Sequence, residues 1–195
     1  MFSLTKPDRA RITTYLSGKC AVPFSYPEVG QTKVCPPSAN YTIDHNRVEL
    51  GRGANVFDLA KCAIAEWKMF DIPWIEVCWP DRPIEVGTTV AVLVFHFGCW
   101  SLNPARIVYV VDERGATERY GFAYGTLPGH GETGEERFTV EFNHADQSVW
   151  YDLYAFSRPA GLVGLGRPFA RMLQKRFAEA SKEAMRKAVS GGMVE

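Results

Sequence analysis

The sequence has no surplus of charge of either sign: 22 lysines and arginines stand against 22 aspartates and glutamates. A general nucleic-acid binder needs a basic excess to displace counterions, so nucleic acid is not an expected partner. Histidine is scarce. The four histidines (His45, His96, His130, His144) show no H-x-x-x-H or H-x-H spacing, and no metal site is expected. Cysteines number five, an odd count, with no C-x-x-C and a closest pair, Cys20 and Cys35, 15 positions apart. That is a pattern of reduced thiols rather than of a disulfide framework or a zinc site. No apolar run approaches the ~20 residues that span a bilayer. The longest, residues 90–100, is interrupted by His96. The first residues carry charges where a secretory signal needs an apolar stretch. Walker A, G-x-S-x-G and H-E-x-x-H are all missing. These absences point to a cytoplasmic globular protein without stable membrane insertion and without an expected cofactor.

What is present is charge that is segregated along the chain. Seven basic residues lie between Arg167 and Lys187, opposed only by Glu179 and Glu183. The rest of the chain is correspondingly acidic, so a basic C-terminal helix is expected to pack on a mildly acidic body. Residues 7–17 read as a short helix and residues 21–40, with Pro23, Pro27, Gly30, Pro36 and Pro37, as a turn-rich arm. Residues 41–50 read as a strand. Residues 56–70 read as an amphipathic helix capped by Asn55. Six further strands are expected over 74–79, 88–97, 105–112, 119–127, 135–143 and 149–157. In two of them the alternation is plain: Tyr120, Phe122 and Tyr124 oppose Gly121, Ala123 and Gly125, and Phe138, Val140 and Phe142 oppose Arg137, Thr139 and Glu141. Residues 162–189 form the last helix, its regular part starting near Arg167 because Pro168 is tolerated only in a first turn. Leu165, Phe169, Met172, Leu173, Phe177, Ala180, Ala184 and Ala188 fall on its apolar stripe.

This order predicts an α+β helix-grip fold, a seven-stranded curled antiparallel sheet around a long C-terminal helix. The expected division is an N-terminal helix and Pro-rich arm over residues 1–40 and a helix-grip domain over 41–190.

Several residues in this layout carry chemistry. Residues 129–134 spell G-x-G-x-x-G, but a strand rather than a helix is expected to follow, which reads as a hairpin loop and not a phosphate cradle. The same loop brings His130 close to Glu132, Glu135, Glu136 and Arg137. A histidine beside a carboxylate is a candidate general base, so His130 and Glu136, with His96, are the candidate catalytic residues. His96 shares a strand face with Val90, Val92 and Val94, where it would anchor a polar group in an apolar cavity. Tyr109, Phe122, Tyr124 and Phe138 supply aromatic surface and hydroxyl handles. Arg137 and Arg158 are candidates for holding an anionic group; Arg158 alternatively ties the last strand to an acidic residue such as Glu136.

Five segments, FSYPEVG (24–30), RVELGRGANVF (47–57), RIVYVVDE (106–113), GFAYGTLPGHGETGEERFTVE (121–141) and AFSRPAGLVGLGRPFARMLQKRF (155–177), resemble the bacterial and plant domain-of-unknown-function family 1990. One departure is Gly131, where the family often has proline after this histidine. The resemblance implies a relation to the START and birch-pollen-allergen-like helix-grip superfamily and supplies no reaction. The expected function is therefore a binding domain that holds an apolar or amphipathic small molecule between sheet and C-terminal helix. The alternatives are an acid–base enzyme in the same cavity, or an interaction module using the arm and the basic helix face. The oligomeric state is left open.

Overall fold

In a computed structural model, residues 1–34, 40–79, 82–160 and 167–192 are described. Eight strands form one antiparallel sheet: β1 (Phe2–Ser3), β2 (Thr42–Arg52), β3 (Ile75–Cys78), β4 (Thr89–His96), β5 (Cys99–Glu113), β6 (Thr117–Thr126), β7 (Glu132–Asn143) and β8 (Ser148–Pro159). The order across the sheet is β2-β8-β7-β6-β5-β4-β3, with β1 added against β5. Four helices accompany it: α1 (Arg9–Ser17), α2 (Gln31–Val34), α3 (Ala54–Ala65) and α4 (Arg167–Gly191).

The seven expected strands are all present, and the eighth, β1, was not expected. It pairs Phe2 with Ser101 and Ser3 with Trp100, on a flank of β5 beyond the last β6 pairing, Thr126 with Ala105. The strand expected over 105–112 begins earlier, at Cys99. Phe97 and Gly98 both take positive φ, 49° and 75°, which makes a tight two-residue hairpin turn and lets β5 continue straight back from β4. Pro104 is tolerated inside β5 because its carbonyl side faces Leu127, past the end of β6.

The helix expected over 56–70 is two pieces. It starts at Ala54 with Gly53, not Asn55, in the cap position, and no side chain bonds the cap. It breaks at Trp67, whose left-handed φ of 58° redirects the chain into a single 3-10 turn, Lys68–Phe70. This break buries the Trp67 ring against Phe122 at 4.7 Å between centroids.

Helices α3 and α4 cover the concave face together. Val56, Phe57, Ala60 and Ile64 of α3 pack with Phe122, Phe138, Val140, Phe142 and Tyr151 of the sheet and with Ala178, Met185 and Val189 of α4 in one core. Burial of this kind stabilises by about 25 cal/mol per Å² of apolar surface removed from water. The buried stripe of α4 is rotated from the expected one. Met172 is 47% exposed, while Ser181 is fully buried because its hydroxyl bonds the Tyr151 hydroxyl at 2.8 Å. Leu165 lies outside the described residues. Of the basic helix residues, Arg171 reaches the body by pairing with Asp44 of β2, whereas Lys182 and Lys187 pair within the helix.

The arm lies across the convex face. Tyr26 and Tyr41 pack edge-on to the Phe156 ring at 5.6 and 5.1 Å. A Cβ on Gly125 would come within 2.1 Å of the Tyr26 hydroxyl oxygen, so the small-residue face of β6 is what lets the arm approach. The arm is latched by the Glu135 carboxylate, which is 2% exposed. It accepts from the Tyr26 hydroxyl at 2.7 Å, the Gly30 N–H at 2.7 Å and the Thr32 N–H at 3.0 Å, and from the Thr32 hydroxyl.

Candidate functional site: a cavity between sheet and helix

Helix α3 covers only part of the concave face. Beyond its reach the sheet and the first half of α4 diverge around a cavity of about 1090 Å³, just above the usual size of small-molecule sites. Phe70 and Phe177 divide cavity from core. Their rings lie 5.4 Å apart, and Phe70 rests on Phe138 at 5.3 Å. Its apolar lining includes Ile75, Val92, Val94, Leu153 and Phe177.

The polar lining lies on the same sheet face as Leu153, and strand alternation builds it. In β7 the residues in phase with Phe138 are Glu136, Gly134 and Glu132. The register sets Tyr124 of β6 opposite Glu136, and the Tyr124 hydroxyl donates to Glu136 Oε2 at 2.8 Å. Desolvation pushes the Glu136 carboxyl up to about 8, with the charges of Glu132 and Asp44 adding to it and the Tyr124 bond opposing it. Glu132 is also raised by burial. The Gln174 amide donates to Glu132 Oε1 at 2.6 Å and to the Ser157 hydroxyl at 2.9 Å. Arg171 donates to both carboxylate oxygens of Asp44 and to Gln174 Oε1. Gly134 has no room for a side chain: a Cβ would sit 2.0 Å from the Phe156 carbonyl oxygen, and φ is 156°.

The 127–131 turn closes this wall. Asn103 accepts from the Gly131 N–H at 3.1 Å and donates to the Val92 carbonyl at 3.3 Å. His130 Nδ1 accepts from the Glu132 N–H at 2.9 Å, which fixes the uncharged tautomer with hydrogen on Nε2. Burial pushes its imidazole down to about 4. At the far end, His96 Nε2 lies 3.1 Å from the Ser101 hydroxyl and its pKa is lowered by burial.

The expected site residues are therefore divided by the sheet. His96, Tyr124, His130 and Glu136 line the cavity. Phe122 and Phe138 do not: both are fully buried in the closed core. Tyr109 lies on the convex face, because a register shift between Ile107 and Tyr109 pairs it with Ala123 and turns its side chain over. Its hydroxyl meets that of Thr32 at 2.7 Å. Arg137, out of phase with Phe138, also lies on the convex face and donates to Asp152 Oδ1 at 2.9 Å. Arg158 is exposed and stacks over the Tyr41 ring at 4.9 Å. It cannot meet Glu136, which points to the other side of the sheet. The histidine–carboxylate contacts among the described residues are His45–Asp152 and His144–Glu118, neither involving a candidate catalytic residue.

Asp44, Asn103, Arg171 and Gln174 were missed as site residues. The signal for the first two was a polar residue in the inward phase of a strand. For the last two it was i, i+3 spacing on the face of α4 that also carries Ala178. The G-x-G-x-x-G segment leads into β7, a strand, so no helix N-terminus faces it.

A family model described as "Domain of unknown function (DUF1990)" matches residues 25–184. The chain belongs to this family. A UPF0548 protein of Dictyostelium discoideum is 33% identical over 97% of this chain and 96% of its own length. A UPF0548 protein of Deinococcus radiodurans is 35% identical over 95% and 94%. Among solved structures, Ara h 8.0201 superposes with a TM-score of 0.51 at 15% identity, covering 78% of this chain and 99% of that one. The DUF1990 chain thus has the helix-grip fold expected from its element order. The matched region takes in both the Glu135 latch and every polar residue of the cavity wall from Asp44 to Gln174. Among the described residues no helix is long and apolar enough to cross a membrane.

Proposed function

We propose that this protein binds a small amphipathic molecule in the cavity between the sheet and α4, with the apolar part against Val92, Val94 and Leu153 and the polar end at Glu132, Glu136 and Tyr124. The observation that carries the reading is the cavity itself. A volume of about 1090 Å³ left beside a well-packed core forgoes the contacts that filling it would give, and its lining combines apolar and polar side chains, as an amphiphile requires. The free thiols at Cys20, Cys62, Cys78 and Cys99 support a cytoplasmic setting.

Native mass spectrometry of the full chain, followed by denaturing identification of released molecules, tests this reading, together with thermal shifts against a panel of amphiphiles. A co-purifying adduct, or a rise in Tm abolished by Ala155→Trp, is the expected result. A chain that carries nothing, and whose Tm no amphiphile moves, overturns it.

An enzyme in the same cavity is the second reading. It is favoured by the Glu136 carboxyl, which keeps its proton at neutral pH and so has the form of a general acid. Turnover lost in Glu136→Gln while ligand binding persists would select it.

A further inference from the structure

We propose that the molecule held here carries a basic nitrogen: the ligand is an amphipathic amine whose ammonium group is received between Glu132 and Glu136. The proposal rests on the cavity being a ligand site and names the chemistry of its polar end.

Charge is left unmatched inside a cavity partly open to solvent. Asp44 from β2 and Glu132 and Glu136 from β7 converge on one end of the cavity. The cation that acts on this cluster, Arg171, hydrogen-bonds Asp44 and Gln174; its charge also lowers Glu132, but it donates to neither glutamate. The groups that reach Glu132 and Glu136 are neutral. Gln174 donates to the first and Tyr124 to the second. Among the described residues no lysine, arginine or histidine forms an ion pair with either glutamate. The adjacent His130 is uncharged and uses Nδ1 to accept a backbone N–H. Lys175 also lines the cavity, but it is exposed and forms no ion pair with either glutamate among the described residues.

Three ligand chemistries meet this wall differently. A carboxylate or phosphate would add a negative charge beside Glu136, which the charges of Glu132 and Asp44 already raise, and beside Glu132, which Asp44 raises; that is repulsive in a partly desolvated space. An alcohol would leave Glu136 protonated and gain one neutral hydrogen bond. An ammonium supplies the counter-charge the wall lacks and up to three donors for the two carboxylates. The rings of Phe70 and Phe177 line the same cavity and offer aromatic surface to a cation; Trp74, also in the lining, already carries the Arg176 guanidinium over its ring at 4.7 Å.

Binding then has a proton balance. The ammonium enters charged, Glu136 gives its proton to solvent, and the complex holds an ammonium–carboxylate pair. The groups that face Glu136 and share this titration are Tyr124 on β6, Tyr151 on β8, Glu132 on β7 and Asp44 on β2. Arg171 and Lys175 face the cavity from α4. Arg171 and the two tyrosines are all raised above their ordinary ranges, so the released proton belongs to the glutamates.

The test uses the full chain and three probes of one length, decylamine and decanoate below their micelle concentrations and decan-1-ol below its solubility limit, titrated calorimetrically at pH 7 in two buffers of different ionisation enthalpy. Decylamine is expected to bind about tenfold tighter than decan-1-ol, with decanoate weakest, and to release close to one proton where the alcohol releases none. Glu136→Gln is expected to weaken decylamine about tenfold and leave decan-1-ol within about twofold. Glu132→Gln serves the same purpose should the first variant unfold, as checked by circular dichroism. Decanoate or decan-1-ol binding as tightly as the amine, or amine affinity indifferent to both variants, overturns the amine assignment while leaving the cavity a ligand site. Failure of all three probes to bind overturns the assignment and the cavity reading together.

Discussion

The Tyr124 hydroxyl donates to the Glu136 carboxyl across a register pair of β6 and β7, at 2.8 Å, inside the cavity. This contact holds the carboxyl in place and moderates its pKa, because a donated hydrogen bond favours the charged form. Tyr124→Phe removes the donor and leaves the burial. The Glu136 pKa is expected to rise further above about 8, and stability is expected to fall by about 1–2 kcal/mol. A carbon-13 NMR titration of the glutamate side chains checks the first expectation and urea unfolding the second. A Glu136 titration unmoved by the substitution would refute the coupling.

Glu136 and His130 give the protein opposing pH dependences. The Glu136 carboxyl is raised from its ordinary 4.5 to about 8. Between those values the unfolded chain has lost the proton and the folded chain has kept it, so stability falls as pH rises through this window. Glu136→Gln removes that slope. The variant should therefore gain on the native protein by a few kcal/mol between about pH 5 and pH 8, with no further gain above.

For His130 the sign is reversed. Its imidazole is lowered from 6.5 to about 4, so the unfolded chain binds the extra proton first. The stability held above about pH 6.5 is lost as pH falls towards 4. His130→Asn, which keeps an acceptor for the Glu132 N–H, should unfold less readily in acid relative to its own stability at pH 7. Denaturation midpoints at pH 4.5 and pH 7 for the two proteins test this. Parallel losses would sink it.

The arm should be separable from the sheet. Glu135→Ala removes the carboxylate that gathers Tyr26, Gly30 and Thr32, bonds worth about 1.5–3 kcal/mol each because the acceptor is charged. Amide hydrogen exchange over residues 24–34 is expected to quicken by an order of magnitude or more, while β6–β8 stay protected. Uniform loss of protection would show that the arm and sheet unfold as one.

Two glycines should respond differently to alanine. At Gly134 a Cβ meets the Phe156 backbone oxygen, and at Gly125 it meets the far end of the Tyr26 side chain. Backbone in the middle of a sheet cannot give way, whereas a phenol can swing. Gly134→Ala is expected to lower Tm far more than Gly125→Ala, whose effect should fall mainly on protection of the arm.

Much of this molecule was legible because strands announce themselves by period two. The alternation of Phe138, Val140 and Phe142 against Arg137 sets Arg137 on the opposite face, so its candidacy for the ligand site ran against the pattern of its own strand. Tyr109 carried no such warning. Its side of the sheet depends on a one-residue register shift beside Ile107, and a shift is a property of two paired strands rather than of one strand's sequence. Trp67 likewise reads as an ordinary helical apolar residue, and only its packing against Phe122 selects the left-handed turn that ends α3.

The sequence by itself determined the element order, and with it the helix-grip fold and the aromatic core, because local periodicity and turn chemistry act over a few residues. The tertiary structure decided which inward-facing residues are packed and which are left lining a cavity. Phe122, Phe138, Tyr124 and Glu136 share one face of the sheet, but α3 closes over the first two and stops short of the others. The length of a covering helix, the break at Trp67 and the placement of Phe70 against Phe177 together fix that boundary. They are contacts between distant segments, which no single segment encodes.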